Sequence, residues 1–413
     1  MSGGWRELAV SGGWRRFGAA AGAMLLLASL LTGCWNSREL SNLAIVVGLG
    51  IDVVPDADEY KVSFQVVNPG AITQGSRGGG GGGAIPVTVY SGTARSLFGA
   101  LRLTSQKLPR QPFFAHIQLL VVGEPVARSG LDELFDFFER SHELRMNTPV
   151  LIAREASAED VLRIVSPLEN TPATGIAKRL ELTSEVFSIN ADIHVTDVIR
   201  KLAGKGDPII SGVRIIGNEE IGESRDNMER TELPASVQIS GMGVFKDGKL
   251  KEWLGLEASR GAVWIQNKMR STIMEVGCGD EPGGVAIELN QSRTGIRASF
   301  VRGRPEFRIT IREEGNINEL HCKLDLSDRD TLVALQKEWA KETEKEVRLA
   351  IDKAVTERTD IFGFGEELRR SDPRGWKKIE DRWPEMIADS RFEIEVDAYL
   401  RRTGMRIRTF LEE

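Results

Sequence analysis

The segment Gly243-Val-Phe-Lys-Asp-Gly248-Lys249 has the spacing of a loop that cradles phosphate in its backbone amides. Position 250 is Leu, so the hydroxyl that would hold magnesium is missing. Asp247-Gly248 is also the preferred pair for a two-residue hairpin turn, which accounts for the glycine by itself. Gly48-Leu-Gly50 is half of a dinucleotide fingerprint, without a third glycine or a following helix, and reads as a crowded or bulged strand. His116, His142, His194 and His321 are scattered, and no two have the spacing of a metal pair on one helix. His321, Cys322 and Cys278 would supply three zinc ligands without a fourth. There is no Gly-x-Ser-x-Gly elbow, and Glu366-Glu367 lie in a charged run that reads as a solvated face. The sequence offers no catalytic residue, no metal ligand set and no cofactor site.

Cys34 stands apart from these. Arg6, Arg15 and Arg16 precede an apolar core from Phe17 to Leu31, which ends in Leu31-Thr-Gly-Cys34. The core has about 15 residues, fewer than the ~20 that a spanning helix needs. Leu-Thr-Gly-Cys resembles the bacterial lipobox, whose thiol is joined to diacylglycerol before the signal is cut away. Small residues at 32 and 33 let an extended backbone enter the peptidase, and the thiol is the strong nucleophile. Residues 1–33 are therefore expected to be a lipoprotein signal peptide, with Cys34 the lipidated site, palmitate among its acyl chains and the bilayer its partner. Loss of Arg6, Arg15, Arg16 and Glu7 takes two net positive charges from a chain at −6, leaving −8. Anionic headgroups repel such a body, so acyl chains hold it rather than a basic patch. Cys278 and Cys322 are then the cysteines of the mature body; two isolated cysteines do not decide between a disulfide and free thiols.

The elements that position these residues are mixed. Leu43–Asp52 reads as a buried strand, while Tyr60–Val67 and Ile85–Tyr90 alternate as half-buried strands. Between them stand six glycines, Gly78–Gly83, expected as a flexible loop. Helices are expected over Leu97–Leu108, Leu131–Phe138, from the cap at Ser157 to Val165, and Ile193–Leu202; strands over His116–Val122 and Pro149–Ala153. Further strands are expected at Ser236–Val244, Leu250–Leu254, Ala286–Leu289, Thr294–Val301, Phe307–Ile311 and His321–Leu326. One long helix begins at Ser327-Asp-Arg-Asp330 and runs to about Thr359, some ~48 Å. A strand from Phe392 to Ala398, with a hairpin return through Gly404, closes the chain. No βαβ rhythm is visible. The expected class is α+β, with mixed, largely antiparallel sheets, packed helices in at least two domains, and the long helix in the C-terminal half.

The chain is 41% hydrophobic and 28% charged, an ordinary folded composition that argues against disorder and against a multi-span membrane protein. With 54 basic and 60 acidic residues there is no cationic surplus for a phosphate backbone, so nucleic acid is excluded as a partner. Residues 218–234 carry six acids and two arginines and read as a linker. That places an N-terminal domain over 34–217 and a C-terminal domain over 235–413.

Several blocks, in order, resemble the Ger(x)C family, the lipoprotein C subunit of nutrient germinant receptors in endospore formers. They are Gly33-Cys34-Trp35-Asn-Ser-Arg38-Glu39-Leu40 with Leu43-Ala-Ile-Val and Gly48-Leu-Gly-Ile-Asp52; Phe113-Phe-Ala-His116-Ile-Gln with Val121-Val-Gly-Glu124, Ala127 and Gly130; Gly243-Val-Phe-Lys, Glu257-Ala-Ser-Arg-Gly261 and Val263-Trp264; and Asp360-Ile-Phe-Gly-Phe-Gly365 with Trp376 and Trp383. The six-glycine insert departs from the family pattern. The resemblance implies a non-enzymatic subunit on the outer face of the spore inner membrane, needed for receptor assembly and signalling. Its implied partners are two membrane-embedded subunits of the A and B type. A solute-binding lipoprotein of a transporter is the alternative, although its usual two-lobed parallel architecture has no counterpart in this pattern. A cell-envelope hydrolase would need a nucleophile and base that the chain does not show.

Phe362, Phe364, Trp376 and Trp383 follow the end of the long helix. They either pin that helix to the C-terminal sheet or present an aromatic docking surface, since aromatic side chains are favoured at interface centres.

Overall fold

The computed structural model describes residues 22, 42–70, 85–169, 171–204, 206–278 and 281–402. Cys34, most of residues 1–33, the glycine run and Gly404 lie outside the described residues. The architecture below belongs to the unit that begins at Ala44.

A nine-stranded sheet is built from β1 (Leu43–Val53), β2 (Tyr60–Val67), β3 (Val87–Ala94), β4 (Gln111–Phe113), β5 (Leu119–Gly123), β6 (Val150–Ala153), β7 (Ile209–Gly217), β8 (Ala235–Lys246) and β9 (Lys249–Leu254). The order is β3-β2-β1-β5-β6-β7-β8-β9, with β4 added beside β1. Its centre is parallel, β1 to β5 to β6 to β7, and its flanks are antiparallel. Side chains alternate between the two faces of a strand, and here both faces are covered. Leu120 and Val122 pack with Phe135 and Phe138 on one side. Leu119 and Val121 pack with Leu162 and Ile176 on the other.

The helices that cover this sheet are α1 (Leu97–Gln106), α2 (Glu124–Ser129), α3 (Asp132–Arg140), α4 (Ala158–Arg163), α5 (Pro172–Val186) and α6 (Val195–Ala203). Short α7 (Glu219–Gly222) and α8 (Asp226–Glu229) occupy the acidic segment 218–234. That segment closes the turn between β7 and β8, which pair antiparallel from Gly217 and Ala235 onward. Asn227 is buried inside it, donating to the carbonyls of Val165 and Ala235 and accepting from Ala235 N. The large sheet therefore runs on from residues 43–217 into 235–254.

After α9 (Leu256–Ile265) comes a second sheet, β10 (Thr272–Cys278), β11 (Glu281–Val301), β12 (Arg304–Leu320) and β13 (Arg391–Arg402), in that order. The long α10 (Arg329–Thr356), then α11 (Phe364–Ser371), α12 (Pro373–Trp376) and α13 (Trp383–Ala388), link β12 to its parallel neighbour β13. At ~1.5 Å per residue the 28 residues of α10 span about 42 Å. One face of this sheet buries Ile287, Phe307, Ile309 and Ile311. The other carries exposed ion pairs such as Arg308–Glu393 at 2.9 Å.

The expected mixed class holds, and the parallel centre is an addition to it. The pieces expected at 286–289 and 294–301 are one 21-residue strand, and 307–311 is part of a 17-residue one. His321–Leu326 is not a strand: Cys322 is joined to Cys278, with Cα atoms 6.4 Å apart, and the bond draws this segment to the end of β10. The long helix starts two residues later than expected, because Asp328 is its cap and accepts from Thr331 N. Asp247 (φ 49°) and Gly248 (φ 71°) are both left-handed, as a type I′ turn between β8 and β9 requires.

Candidate functional site

The blocks that carry chemistry-bearing residues come together as structural joints. At the first joint, Asp52 ends β1 under the start of α4. Its carboxylate accepts from Ala158 N at 2.8 Å and Glu159 N at 3.1 Å, capping two amides that the helix leaves unpaired. Burial pushes its pKa up to about 6, with those amide bonds and Lys61 pulling the other way. Gly123, at the end of the neighbouring strand, has no room for a side chain, since a Cβ there would lie 2.3 Å from Asp52 Oδ1. Gly48 also sits close under α4: a Cβ would meet the Leu162 side chain at 2.8 Å. The Gly-Leu-Gly spacing is thus a seat for a helix.

The second joint is the crossing of α9 and α10. Gly261 faces the α10 backbone so closely that a Cβ would reach Glu346 O at 2.0 Å. Arg260 Nε donates to Glu346 Oε2 at 2.9 Å beside it, and Trp264 is fully buried behind it. Under the crossing lies Glu313 of β12, also fully buried. Thr343 Oγ1 donates to one of its oxygens at 2.8 Å, and the other has no hydrogen-bond partner. Burial raises its pKa to about 8, so the side chain is largely protonated at neutral pH.

The third joint follows α10. Asp360 accepts from Phe364 N and Gly365 N, both at 2.7 Å, and from Trp383 Nε1 at 3.0 Å. Burial raises its pKa against those three donors. Asp207, just before β7, accepts from Asp360 N at 3.1 Å and from Asp247 N at 3.0 Å. The Thr359 hydroxyl sits 2.6 Å from Asp207 Oδ2 and 2.7 Å from the Phe245 carbonyl. One carboxylate thereby links the entry to β7, the β8–β9 turn and the end of the long helix. Beside Asp360, Phe307, Phe364 and Phe392 pack with ring centroids 4.8–5.4 Å apart, and Trp376 stands 5.2 Å from Trp383. Gly365 is required there, because a Cβ would lie 2.8 Å from both indoles. Of the two readings of this cluster, pinning is what the packing displays. Phe364 is buried against β12 and β13, while Trp376 and Trp383 are half-buried.

The remaining candidates are dispersed. His116 and His142 are exposed, His194 lies beside Asp192 and Asp197, and His321 pairs with Glu319 at 2.7 Å. Glu366 and Glu367 pair with Arg369 and Arg370. Among the described residues no group of three His, Cys, Asp or Glu side chains is placed to hold a metal, and no helix is long and apolar enough to cross a membrane. Asp207 and Glu313 were missed in the sequence; their partners stand 30 to 153 residues away, so no local pattern marks them.

Residues 36–215 match the family model described as spore germination protein N-terminal domain, and residues 240–404 match spore germination B3/GerAC like, C-terminal. Spore germination protein KC of Bacillus subtilis (strain 168) is 34% identical over 387 residues, covering 93% of this chain and 95% of that one. Spore germination protein B3 of the same organism is 23% identical over 380 residues, covering 90% and 94%. The crystal structure of the GerBC protein superimposes with a TM-score of 0.56 at 20% identity, over 86% of this chain and 97% of that one. The three joints use residues from each block that carries the resemblance within the described chain, and the fold is shared along nearly the whole length. The chain belongs to the Ger(x)C family of spore germination proteins.

Proposed function

We propose that this chain is the C subunit of a nutrient germinant receptor, anchored by a lipidated Cys34 to the outer face of the spore inner membrane. It acts there without catalysis, in receptor assembly and signalling, beside membrane-embedded subunits of the A and B type. The observation that carries the reading is the 34% identity to spore germination protein KC over 93% of the chain. The lipid anchor rests on the Leu31-Thr-Gly-Cys34 sequence and its charged, short apolar leader. The non-catalytic role is supported by where the polar motif residues go. Asp52, Asp360 and Arg260 are engaged with backbone amides, an indole and a carboxylate within the fold. The division at 218–234 fits a boundary between two sequence modules, which the large sheet spans.

Affinity capture of the lipidated protein from spore membranes tests the reading. Multi-span subunits of receptor type are expected to co-purify, and spores lacking the chain are expected to lose a nutrient response while still germinating with non-nutrient triggers. Co-purification with a permease and an ATPase instead would move the assignment to the transporter alternative. Cys34→Ala is expected to abolish acylation and release the body from the membrane; an unacylated mature N-terminus elsewhere in intact-mass analysis would refute the anchor.

A further inference from the structure

The solvent face of the second sheet is divided by charge. On β11 its exposed residues are Gln291, Arg293, Gly295, Arg297, Ser299 and Val301, with no acid among them. On β13 it carries Glu393, Glu395 and Asp397. In β12, between them, the register puts Arg312 directly opposite Arg293 and Arg308 directly opposite Arg297. Like charges directly opposite on one face of a sheet are destabilising. The β12 arginines engage the acids of β13, with Arg308 Nη2 2.9 Å from Glu393 and Arg312 Nε 3.7 Å from Asp397. Two further acids of this face are also taken, Glu306 by Arg391 at 3.9 Å and Glu314 by Arg401 Nε at 2.8 Å. Arg293 and Arg297 are left exposed, without an ion pair among the described residues. Arg302 and Arg304, at the β11–β12 turn, are left in the same way. Arg302 (φ 51°) and Gly303 (φ 84°) form that turn. Its first position favours Asn or Asp, as Asp247 serves between β8 and β9, but here it holds a cation.

Four unpaired arginines along one strand and its turn select an anionic partner, and the neighbouring rows set its width. Strands lie ~4.8 Å apart, so the acids of β13 stand about 10 Å from the β11 row, roughly one Debye length at 0.1 M salt. A bilayer broad enough to cover the face would press on those acids too, on a chain whose net charge is −6. A partner one strand wide, lying along β11, meets the arginines first. From Arg293 to Arg302 the row spans ~30 Å, and Arg293 and Arg297 lie ~13 Å apart. Every second side chain of an extended peptide shares a face, ~6.6 Å from the next, so alternating carboxylates fall into step with the arginines. A Cβ on Gly295 would meet nothing within 4 Å, which leaves open space between the two Arg–Arg pairs. We propose that the β11 row docks an extended acidic segment of a partner protein, its carboxylates on Arg293, Arg297, Arg302 and Arg304 and its backbone over Gly295. The proposal goes beyond the receptor-subunit reading and does not depend on it.

The test uses the full-length protein in phosphatidylcholine nanodiscs at low ionic strength. The probe is a fluorescein-labelled peptide of six Glu-Thr repeats, with binding read by anisotropy. Saturable binding is expected, weakening as salt rises, and the matching Gln-Thr peptide is expected not to bind. Arg293→Glu combined with Arg297→Glu is expected to weaken the Glu-Thr peptide by about tenfold or more, since two attractions become repulsions. The same variant is expected to melt no lower than the parent, because each Arg–Arg pair becomes a Glu–Arg pair across the strands. Lower melting would assign both arginines to the fold and overturn the proposal. Vesicles of phosphatidylglycerol, added at equal charge, are expected to displace the labelled peptide far less than the unlabelled peptide does. Equal displacement would give the face to a bilayer instead. The proposal also fails if the Glu-Thr peptide does not bind at ~1 mM, if the Gln-Thr peptide binds as tightly, or if the arginine variant binds like the parent.

Discussion

Asp52 and Asp360 occupy matching positions in the two halves, and the contrast between them shows what the family blocks are for. Each is a carboxylate that accepts two successive backbone amides at a helix start, and each stands against a glycine that cannot take a side chain. Asp52 does so between a strand and one short helix, with Lys61 and Asp160 as its charged neighbours. Asp360 adds an indole donor and stands among packed rings, and the neighbouring Asp207 extends the network back to β7 and the β8–β9 turn. The first joint holds one crossover in place. The Asp360 joint fastens the end of the long helix to both sheets, so a change there reaches both modules. Residues that look like chemistry in the sequence are fasteners in the fold.

Removing the aromatic packing should have the largest effect. Phe364→Ala deletes a buried ring from the Phe307–Phe392 stack and is expected to cost about 3–5 kcal/mol in denaturant unfolding. Trp376→Ala, at a half-buried site, should cost less. If Trp376→Ala melts unchanged while spores lose receptor assembly, the cluster docks a partner as well as pinning the helix. Next come the carboxylates themselves. Asp360→Ala orphans three donors and Asp52→Ala two, at roughly 1–3 kcal/mol for each buried group left unsatisfied, so the C-terminal variant should be the less stable. Equal losses would break the contrast between the joints.

A smaller effect depends on pH. Glu313 titrates near 4.5 when free and near 8 in the fold, so across that window the folded chain holds a proton that the unfolded chain has released. Stability contributed by this group is full below about 4.5 and falls as pH rises towards 8. Asp52, raised from 3.8 to about 6, acts in the same direction but is spent by pH 6. Between pH 6 and 8 Glu313 contributes to the decline beside Asp360 and Glu346, which burial also raises, and Glu313→Gln should make it shallower, gaining on the order of a kcal/mol relative to the parent at pH 8. An unchanged slope in Glu313→Gln over that range would remove Glu313 from the groups that titrate there.

How much of this was legible depended on which faces are wet. In β13, Phe392-Glu-Ile-Glu-Val alternates because one face of the sheet meets solvent, and the alternation marks Phe392–Ala398 of a strand that runs from Arg391 to Arg402. In β1, β5 and β6 both faces are buried and the alternation disappears, so the strands were visible but their parallel order was not. α5 was missed although Thr171 caps it, because Thr174, Gly175 and Thr183 weaken a helical pattern that is only faintly amphipathic. β7 and α9 were missed as well. Asp360, Gly365, Trp376 and Trp383 were recognised as a block, but their partners Asp207 and Phe307 lie far away in sequence, and only the folded chain brings them together.

The smallest expected effect is at the β8–β9 turn, and it marks where the C-terminal joint ends. Gly248 has φ 71°, which an L-residue adopts at a cost of about 1 kcal/mol. A Cβ would also approach Asp132 Oδ2 at 2.8 Å, but that contact is the end of an exposed side chain at the start of α3 and can swing away. Gly248→Ala should therefore cost about 1 kcal/mol, well below Asp360→Ala, with no change in nucleotide affinity. Asp207 reaches this turn through Asp247 N, so a strained turn could transmit further than its own backbone. A loss as large as that of Asp360→Ala would mean that the turn, Asp207 and Asp360 form one cooperative unit. Saturable ATP binding that disappears with Lys249→Ala would instead restore the phosphate-loop reading of Gly243–Lys249. A loss near 1 kcal/mol leaves the turn as a peripheral clip, with the energy of the joint concentrated in the carboxylate and the rings.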